Sequence, residues 1–563
     1  MCLLLLYLSF RWVPGTVLPV VAVGISVLIT LGAMAFLGEP LNVINNIIAP
    51  LLIIVGVSDS IHLIARYREE LEHAPTKLDA AERTVKVMAL ACFLTSATTS
   101  VGLGSLVVSR TGMLRGFGIN AAIGVLVAYI VTIVFLPAAM TLFKPPLPPQ
   151  NRPGRVAHIF DRGLLEKGIV GTTTRVLRRP WLPLAIAALL SVAGGWSAVN
   201  VRIDSSLLDE FEEGDTAYTT TVLMERELDG VRPLEVMLTA REAGRFEDPA
   251  VLRAIDETQA WLETQRGVLS TLSASDYLHE SWARISGERA AAEEPFTTRE
   301  QVAALTLLFE RAEPNPLERV VSDDGRVARI QVRLADIGAR ASIDLIRDLR
   351  ARLEERLEPH GVTVAMTGEA YTGSVGLDAI VWDLLGSLGT AVLIIFGMMV
   401  VLFRSWRLGL LTIPPNVIPL VGTVAWMALR GIPLNAATVI VFSISLGLAV
   451  DASIHILARY REETANRALR SVAILRAARS TGRGIVVSSV TLMLGFGVML
   501  LSSFIPVRRF GELIAVTVGL SLVSTLIVQP ALLRVFAPKV PPNRFRRRTK
   551  PAAAAPAEHA AEG

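Results

Sequence analysis

The sequence predicts a polytopic α-helical membrane protein, a duplicated parallel-repeat bundle of about 10–11 transmembrane helices with one inserted extracytoplasmic α/β domain. Three observations predict it: apolar blocks of membrane-crossing length, an ungapped internal repeat, and one long acidic segment. Of the 563 residues 52% are apolar, and the mean hydropathy is +0.50. A water-soluble chain of this length divides into several domains of moderate hydropathy. Here the apolar residues gather into blocks of about 20, the length of a bilayer-crossing helix. The blocks are 17–37, 43–66, 87–108, 117–143, 180–200, 382–404, 409–430, 435–459, 483–504 and 510–537.

The stub "MCLLLLYLSF" precedes them. It has no basic leader and no small-residue cleavage site, so it reads poorly as a signal peptide. It is also too short to cross a bilayer alone. Cys2 and Cys92 both lie in apolar segments and imply neither a disulfide framework nor a metal cluster.

Charge orients the helices. "RYREELEHAPTKLDAAERTVK", "FKPPLPPQNRPGRVAHIF", "RYREETANRALRSVAILRAARSTGR" and "NRFRRRTK" are rich in Arg and Lys, and the positive-inside rule assigns them to the cytoplasm. Residues 201–380 carry 35 acidic residues, 20 arginines and no lysine, and belong on the other side. The net charge of +4 therefore reflects topology and calls for no nucleic-acid partner. "PAAAAPAEHAAEG" is low-complexity and is expected to be disordered. The expected organisation is a first membrane repeat at 1–143, a cytoplasmic linker at 144–179 and a transmembrane helix at 180–200. A periplasmic α/β domain at 201–380, a second membrane repeat at 381–537 and a cytoplasmic tail at 538–563 follow.

An offset of 393 residues holds without a gap over some 140 positions. It pairs Phe10-Arg11 with Phe403-Arg404, and Gly38, Pro40, Leu41 and Asn42 with Gly431, Pro433, Leu434 and Asn435. It pairs "ARYREE" with "ARYREE", Gly102 and Gly104 with Gly495 and Gly497, Phe117-Gly118 with Phe510-Gly511, and Pro137 with Pro530. The copies run in the same direction, as in transporters whose working site lies at the repeat interface. Met1 corresponds to Ile394, inside the block 382–404. A piece upstream of Met1 is the expectation; a half-plus-whole chain is the alternative.

In the inserted segment "PLEVMLTA", "VARIQVRL" and "VTVAMTG" read as strands. "DPAVLRAIDETQAWLETQ" opens with an Asp-Pro helix start, and "ASIDLIRDLRARLEERLEP" is a second helix. The pattern suits a small sheet with helices on one face. The segment holds no catalytic motif, and His279 and His360 read as solvated surface residues.

"VGVSDSIHLIARYREE" and "LAVDASIHILARYREE" each place an acid and a histidine in an apolar run. Asp59 and His62 are three apart, Asp451 and His455 four, so each pair shares a helical face, with Ser60 and Ser453 alongside. They lie about two turns before "RYREE", hence within the bilayer. An ionised carboxylate there is costly unless paired or hydrated, and persists by facing the bundle interior. Such a group can take a proton from one side and release it to the other. Thr95, Ser96, Thr98 and Thr99, with Ser488, Ser489 and Thr491 on the equivalent helix, offer hydroxyls for a path. A single Ser or Thr also reads as an interhelical hydrogen bond, and the histidines also as structural or snorkelling residues. "GLG" and "GFG" read as close-packing positions. The "RYREE" segments, Trp12, Trp181 and Trp406 read as headgroup anchors.

These residues resemble the resistance–nodulation–division (RND) superfamily, in its MMPL-like branch related to Patched and the sterol-sensing proteins. "VDASIHILARYREE", the duplicated bundle and the external insert carry the resemblance. It implies that acids on the fourth and tenth helices, here Asp59 and Asp451, carry protons, with a hydroxyl helper at Thr491 and also Thr98. It further implies monomers or trimers that use proton flow to move hydrophobic or lipidic molecules outward. The match is loose at the acids: at the offset of 393 Asp59 aligns with Ala452, and Asp451 with Ser58, a displacement of about 100° around a helix. The family's first helix and first external domain have no counterpart here.

The reading is therefore a multi-pass inner-membrane protein exporting hydrophobic or lipid-like substrates, with a proton relay drawn from Asp59, Asp451, His62, His455, Thr98, Thr491, Ser58, Ser60 and Ser453. Membrane lipids, a hydrophobic small-molecule or lipid substrate and protons are its expected partners; no cofactor, metal, nucleic acid or enzymatic activity is expected. The rival is a non-transporting membrane sensor or scaffold of sterol-sensing type.

Overall fold

The computed structural model describes residues 11–42, 44–145, 164–201, 211–230, 232–286, 297–310, 315–465 and 468–538, with Tyr7 besides. The terminal low-complexity tail and the rest of the N-terminal stub lie outside the described residues. Among those residues ten helical stretches are long and apolar enough to cross a bilayer, one for each apolar block. The chain is a polytopic helical membrane protein with an inserted α/β region.

The first copy comprises α1 (Val13–Phe36), α2 (Ile48–Leu71), α3 (Lys77–Gly104) and α4 (Gly112–Leu142). Next come α5 (Leu164–Arg178) and α6 (Trp181–Ser197). The insert holds α7 (Thr216–Glu227), β1 (Arg232–Ala240), α8 (Pro249–Glu263), β2 (Val268–Leu272), α9 (Ala274–Ser286) and α10 (Arg299–Glu310). It ends with β3 (Val327–Leu334), α11 (Ala339–Leu357) and β4 (Val362–Thr367). The second copy comprises α12 (Glu369–Phe403), α13 (Trp406–Leu410), α14 (Ile413–Arg430), α15 (Ala436–Ala465), α16 (Arg470–Gly497), α17 (Ile505–Val523) and α18 (Gln529–Phe536).

Several helices outrun their apolar blocks, because good helix formers continue the coil into the polar flank. α3 begins ten residues early, where Thr76 Oγ1 accepts the Asp79 N–H at 3.1 Å and caps it.

The repeat is written into the backbone. α3 and α16 are each 28 residues long at the 393 offset, and each ends in a four-residue 3₁₀ turn, Ser105–Val108 and Val498–Leu501. Arg11 and Arg404 both adopt φ 45°, a left-handed conformation uncommon outside glycine. Gly38 and Gly431 follow at φ 73° and 65°. Asn42 and Asn435 play the same part: Asn42 Oδ1 accepts the Asn45 N–H at 2.8 Å, and Asn435 Oδ1 the Thr438 N–H at 3.0 Å. The copies diverge near Pro137 and Pro530. α4 runs straight through its proline, whereas a π-helical turn, Ser524–Val528, precedes the other.

α15 is the most enclosed span, 83% of its apolar window buried, against 11% for α6 at the periphery. α2, α3, α15 and α16 pack together at the centre. Gly102 and Gly447 bring α3 and α15 into backbone contact. A Cβ at Gly102 would lie 2.9 Å from the Ser443 carbonyl oxygen, and one at Gly447 would lie 2.8 Å from Thr99 Cα.

One anchor assignment changes. Trp181 and Trp406 are exposed, as headgroup anchors should be, but Trp12 is buried. Its ring stacks on Tyr67 at 6.4 Å between centroids, and its Nε1–H donates to the Lys144 carbonyl at 3.0 Å. Tyr67 and Tyr460 are also buried. In "RYREE" the arginine at the segment's start reaches the two glutamates, and the tyrosine turns inward.

The insert forms a four-stranded antiparallel sheet in the order β2-β3-β1-β4. Strand alternation puts Leu234, Val236, Leu238, Ile330 and Val332 on one face, where α8 and α11 cover them with Val251, Ile255, Leu345, Leu349 and Leu353. The three strands read from the sequence are present; β2, α7, α9 and α10 were not anticipated. The final strand passes through Gly368 (φ 102°) into α12, a continuous helix that crosses the expected boundary at 380/381 and enters the bundle. The Asp383 carboxylate on α12 accepts the Ser109 hydroxyl at 2.5 Å and the backbone N–H groups of Arg110 and Thr111 at 2.7 and 3.0 Å. The insert's stalk is thereby fastened to the α3–α4 turn.

Candidate functional site

α2 and α15 each carry an acid one turn before a histidine within an apolar span. Their packing brings all four side chains to one cavity of about 30 Å³, which has room for one or two water molecules. α2 contributes Ser58, Asp59 and His62, and α15 contributes Asp451, Ala452 and His455. These six are three repeat-equivalent pairs, 58 with 451, 59 with 452 and 62 with 455. The one-residue displacement of the acids therefore leaves both on the cavity wall. The imidazoles of His62 and His455 stack, with centroids 5.1 Å apart and planes inclined by 28°. Gly484 on α16 leaves space for one of them: a Cβ there would lie 3.4 Å from His62 Cε1.

No lysine or arginine lines this wall. Hydroxyls do the polar work instead. Ser96 Oγ donates to Asp59 Oδ2 at 3.1 Å. Thr98 Oγ1 lies 3.5 Å from Asp451 Oδ1 and 2.8 Å from the Thr95 carbonyl oxygen. A hydroxyl has one proton to give. Thr98 can donate it to an ionised Asp451, or give it to Thr95 and accept from a protonated Asp451. Both protonation states thus find a partner. The Ser445 hydroxyl, buried in the same wall, has no protein partner and offers a hydrogen bond to an occupant of the cavity. The arrangement can hold a proton on either acid, and its volume is well below the several hundred Å³ of a typical small-molecule pocket.

Of the nine residues singled out from the sequence, the structure brings Ser58, Asp59, His62, Asp451 and His455 to the cavity and sets Thr98 behind Asp451. It does not bring Ser60, Ser453 or Thr491 there. The Ser60 hydroxyl donates to the Gly56 carbonyl at 2.8 Å, and that of Thr491 to the Val487 carbonyl at 2.8 Å. Ser453 Oγ donates to Asn416 Oδ1 at 3.1 Å, and its carbonyl accepts from Gln529 Nε2 at 3.1 Å. Sequence reasoning missed Ser445, Thr517 and Ser521. The last two sit four apart in an otherwise apolar run, the spacing that betrayed the acid–histidine pairs, so the signal was present. Among the described residues, no group of three or more His, Cys, Asp or Glu is placed to hold a metal ion.

A sequence model described as the MMPL family matches residues 1–165 and 225–558. A membrane protein of Methanocaldococcus jannaschii is 24% identical over 368 residues, 63% of this chain and 90% of that one. One from Streptomyces coelicolor is 25% identical over 492 residues, 86% of this chain and 61% of its own length. A second from Streptomyces coelicolor is 30% identical over 229 residues, 39% of this chain and 32% of its own length. None of the three is named beyond being a membrane protein.

Proposed function

This chain belongs to the MMPL family of membrane transporters, and from that premise we propose that proton movement through Asp59 and Asp451 drives the outward transport of a hydrophobic or lipid-like molecule. One observation carries the reading. Two acids from two copies of a repeat meet in one hydroxyl-lined cavity whose wall holds no lysine or arginine. A buried acid without a cationic partner is expensive and points to a functional site, a proton relay among them. The small volume favours a division of labour, with the proton site inside the bundle and the substrate passing elsewhere. In this reading the bundle sits in the inner membrane, residues 201–380 face the periplasm, and the working unit is a monomer or trimer.

The test is proton flux. The full chain is reconstituted into vesicles with a trapped pH-sensitive dye, and a pH step is imposed. Asp59→Asn and Asp451→Asn are each expected to slow proton entry by about 100-fold, in the range of a lost acid–base group. A parallel lipid analysis compares a deletion strain with one restored by the wild-type chain or by each variant. Unchanged flux and unchanged lipids in well-inserted variants would sink the transport reading and leave the sensor in its place.

A further inference from the structure

The proton cavity has a basic-side end, and each copy of the repeat places an imidazole there. α2 and α15 both run toward their "RYREE" segments. At the helical rise, His62 lies about 4.5 Å further along than Asp59, and His455 about 6 Å further than Asp451. Arg66 and Arg459 follow about 6 Å beyond the imidazoles. α16 leaves the basic side and α17 returns to it, and their lining residues nearest that side are Ile485 and Ser521. His62 and His455 are the corresponding residues of α2 and α15, so the ring stack stands between the acids and the basic surface. Rings that stack on each other inside the bundle do not snorkel toward headgroups. Among the described residues, no protein group hydrogen-bonds to either ring, so both keep a donor and an acceptor for water in the cavity. The titratable groups that share the wall with them are Asp59 and Asp451; α3, α16 and α17 contribute hydroxyl and apolar side chains there. The acids stand one step apart in the repeat, but His62 and His455 are exact equivalents. Parallel copies are related by an axis along the membrane normal, and equivalent residues that touch must meet on it.

We propose that His62 and His455 form the basic-side port of the cavity, a shuttle through which Asp59 and Asp451 exchange protons with that side one at a time. The port rests on the reading of the two acids as proton carriers. A neutral imidazole accepts a proton on one ring nitrogen and releases another from the second. A protonated carboxyl group thereby returns to carboxylate as the proton leaves through the ring, and no other bond changes. Each acid has an imidazole one turn on, on its own helical face. Two imidazolium rings with centroids 5.1 Å apart repel, so the stack carries a single proton.

The test uses the full chain in vesicles with a trapped pH-sensitive dye. The double variant His62→Phe, His455→Phe keeps two rings to stack and removes the nitrogens. It is expected to slow proton flux about 100-fold, as Asp451→Asn does. Unchanged flux in the double variant, beside slow flux in Asp451→Asn, overturns the port and leaves the role of the acids standing. Unchanged flux in Asp451→Asn overturns both. Chemical rescue tests the port even if the double variant fails to fold. His62→Ala removes one ring, and added imidazole is expected to raise its flux several-fold. Pyrazole, of the same shape and far less basic, is expected to leave the flux low. The same additions to a chain carrying both His62→Ala and Asp451→Asn give the blank for base that crosses the lipid unaided. Rescue by both compounds means that the ring only fills space, and overturns the port; rescue by neither overturns it as well.

Discussion

In the first copy α3 supplies a hydroxyl toward each acid, Ser96 to Asp59 and Thr98 to Asp451. Its counterpart α16 donates to neither, although Ser489 and Thr491 stand at the matching positions. The second copy contributes in other ways. Asn416 and Gln529 brace Ser453 beside Asp451, at positions where the first copy has Val23 and Leu136. Thr517 and Ser521 close the cavity where the first copy has Gly124 and Ala128. Duplication has kept the backbone and released the side chains. The lengths of α3 and α16, the 3₁₀ turns that end them and the turns at Arg11/Arg404 and Gly38/Gly431 match residue for residue, because each is set by local backbone demands that both copies share. The polar groups around the acids need only converge in space, so either copy can supply them.

The largest expected effect tests how much of this asymmetry is structural. Asp383→Ala leaves two backbone N–H groups and two hydroxyls of the α3–α4 turn without their acceptor, and should lower stability by about 3 kcal/mol. The matching turn of the second copy has only Ser502 Oγ accepting from the Phe504 N–H, so Ser502→Ala should cost under about 1 kcal/mol. Thermal unfolding of both variants in detergent checks the pair. Equal losses would break the contrast.

Next comes the packing seam. Gly102→Ala drives a methyl against the Ser443 carbonyl and the Gly447 backbone and should cost about 2 kcal/mol. The equivalent Gly495→Ala meets only Ile54 side-chain atoms, at 3.3 Å, and should stay within about 0.5 kcal/mol of wild type. The same unfolding assay decides it. If the Gly495 variant suffers as much, the α3–α15 contact is not the tighter of the two.

A smaller effect concerns the hydroxyls. Thr98→Val should slow proton flux about fivefold, since one hydrogen bond to a charged group is lost, and Thr491→Val should leave the flux unchanged. The opposite ranking would return the helper role to Thr491.

The smallest effect lies in the insert, which has no repeat counterpart among the described residues. His279 Nε2 pairs with Asp256 Oδ2 at 3.1 Å, and this hydrogen bond raises the histidine's pKa above 6.5, against a smaller opposing effect of burial. A raised folded value means the contact stabilises fully below 6.5 and fades as pH climbs through that raised value. With the pair nearly half exposed, solvent leaves a few tenths of a kcal/mol. His279→Ala should flatten the pH dependence of the insert's stability between pH 6 and 9, read by hydrogen exchange of α9.

Much of the fold was legible. The ten spans follow from block length, and the offset of 393 paired Arg11 with Arg404, whose backbones share a φ of 45°. Strand alternation gave β1, β3 and β4. β2 was not legible, since "VLSTL" is short and half-buried. α5 hid inside a segment that read as linker, because its apolar stripe is narrow and has meaning only against α16. At the site, the acids and histidines declared themselves by being charged in apolar runs. Ser60, Ser453 and Thr491 were equally conspicuous, yet they bond elsewhere. A hydroxyl on a helix has a backbone carbonyl one turn back as a ready partner, so its presence alone does not say which way it turns.

By itself the chain determined that it crosses a membrane many times, that its bundle is duplicated, and that one acid and one histidine per copy lie within the slab. Those properties are one-dimensional, a matter of block length, offset and charge, and they survive in the order of residues. Only the tertiary structure decided that positions one step apart in the repeat face a common cavity and that α3 supplies the hydroxyls bonded to both acids. It alone decided that α5 packs across α16 and α18. These depend on how helices rotate and approach at the Gly102–Gly447 contact, and distances between segments hundreds of residues apart are set by packing, which no local pattern encodes.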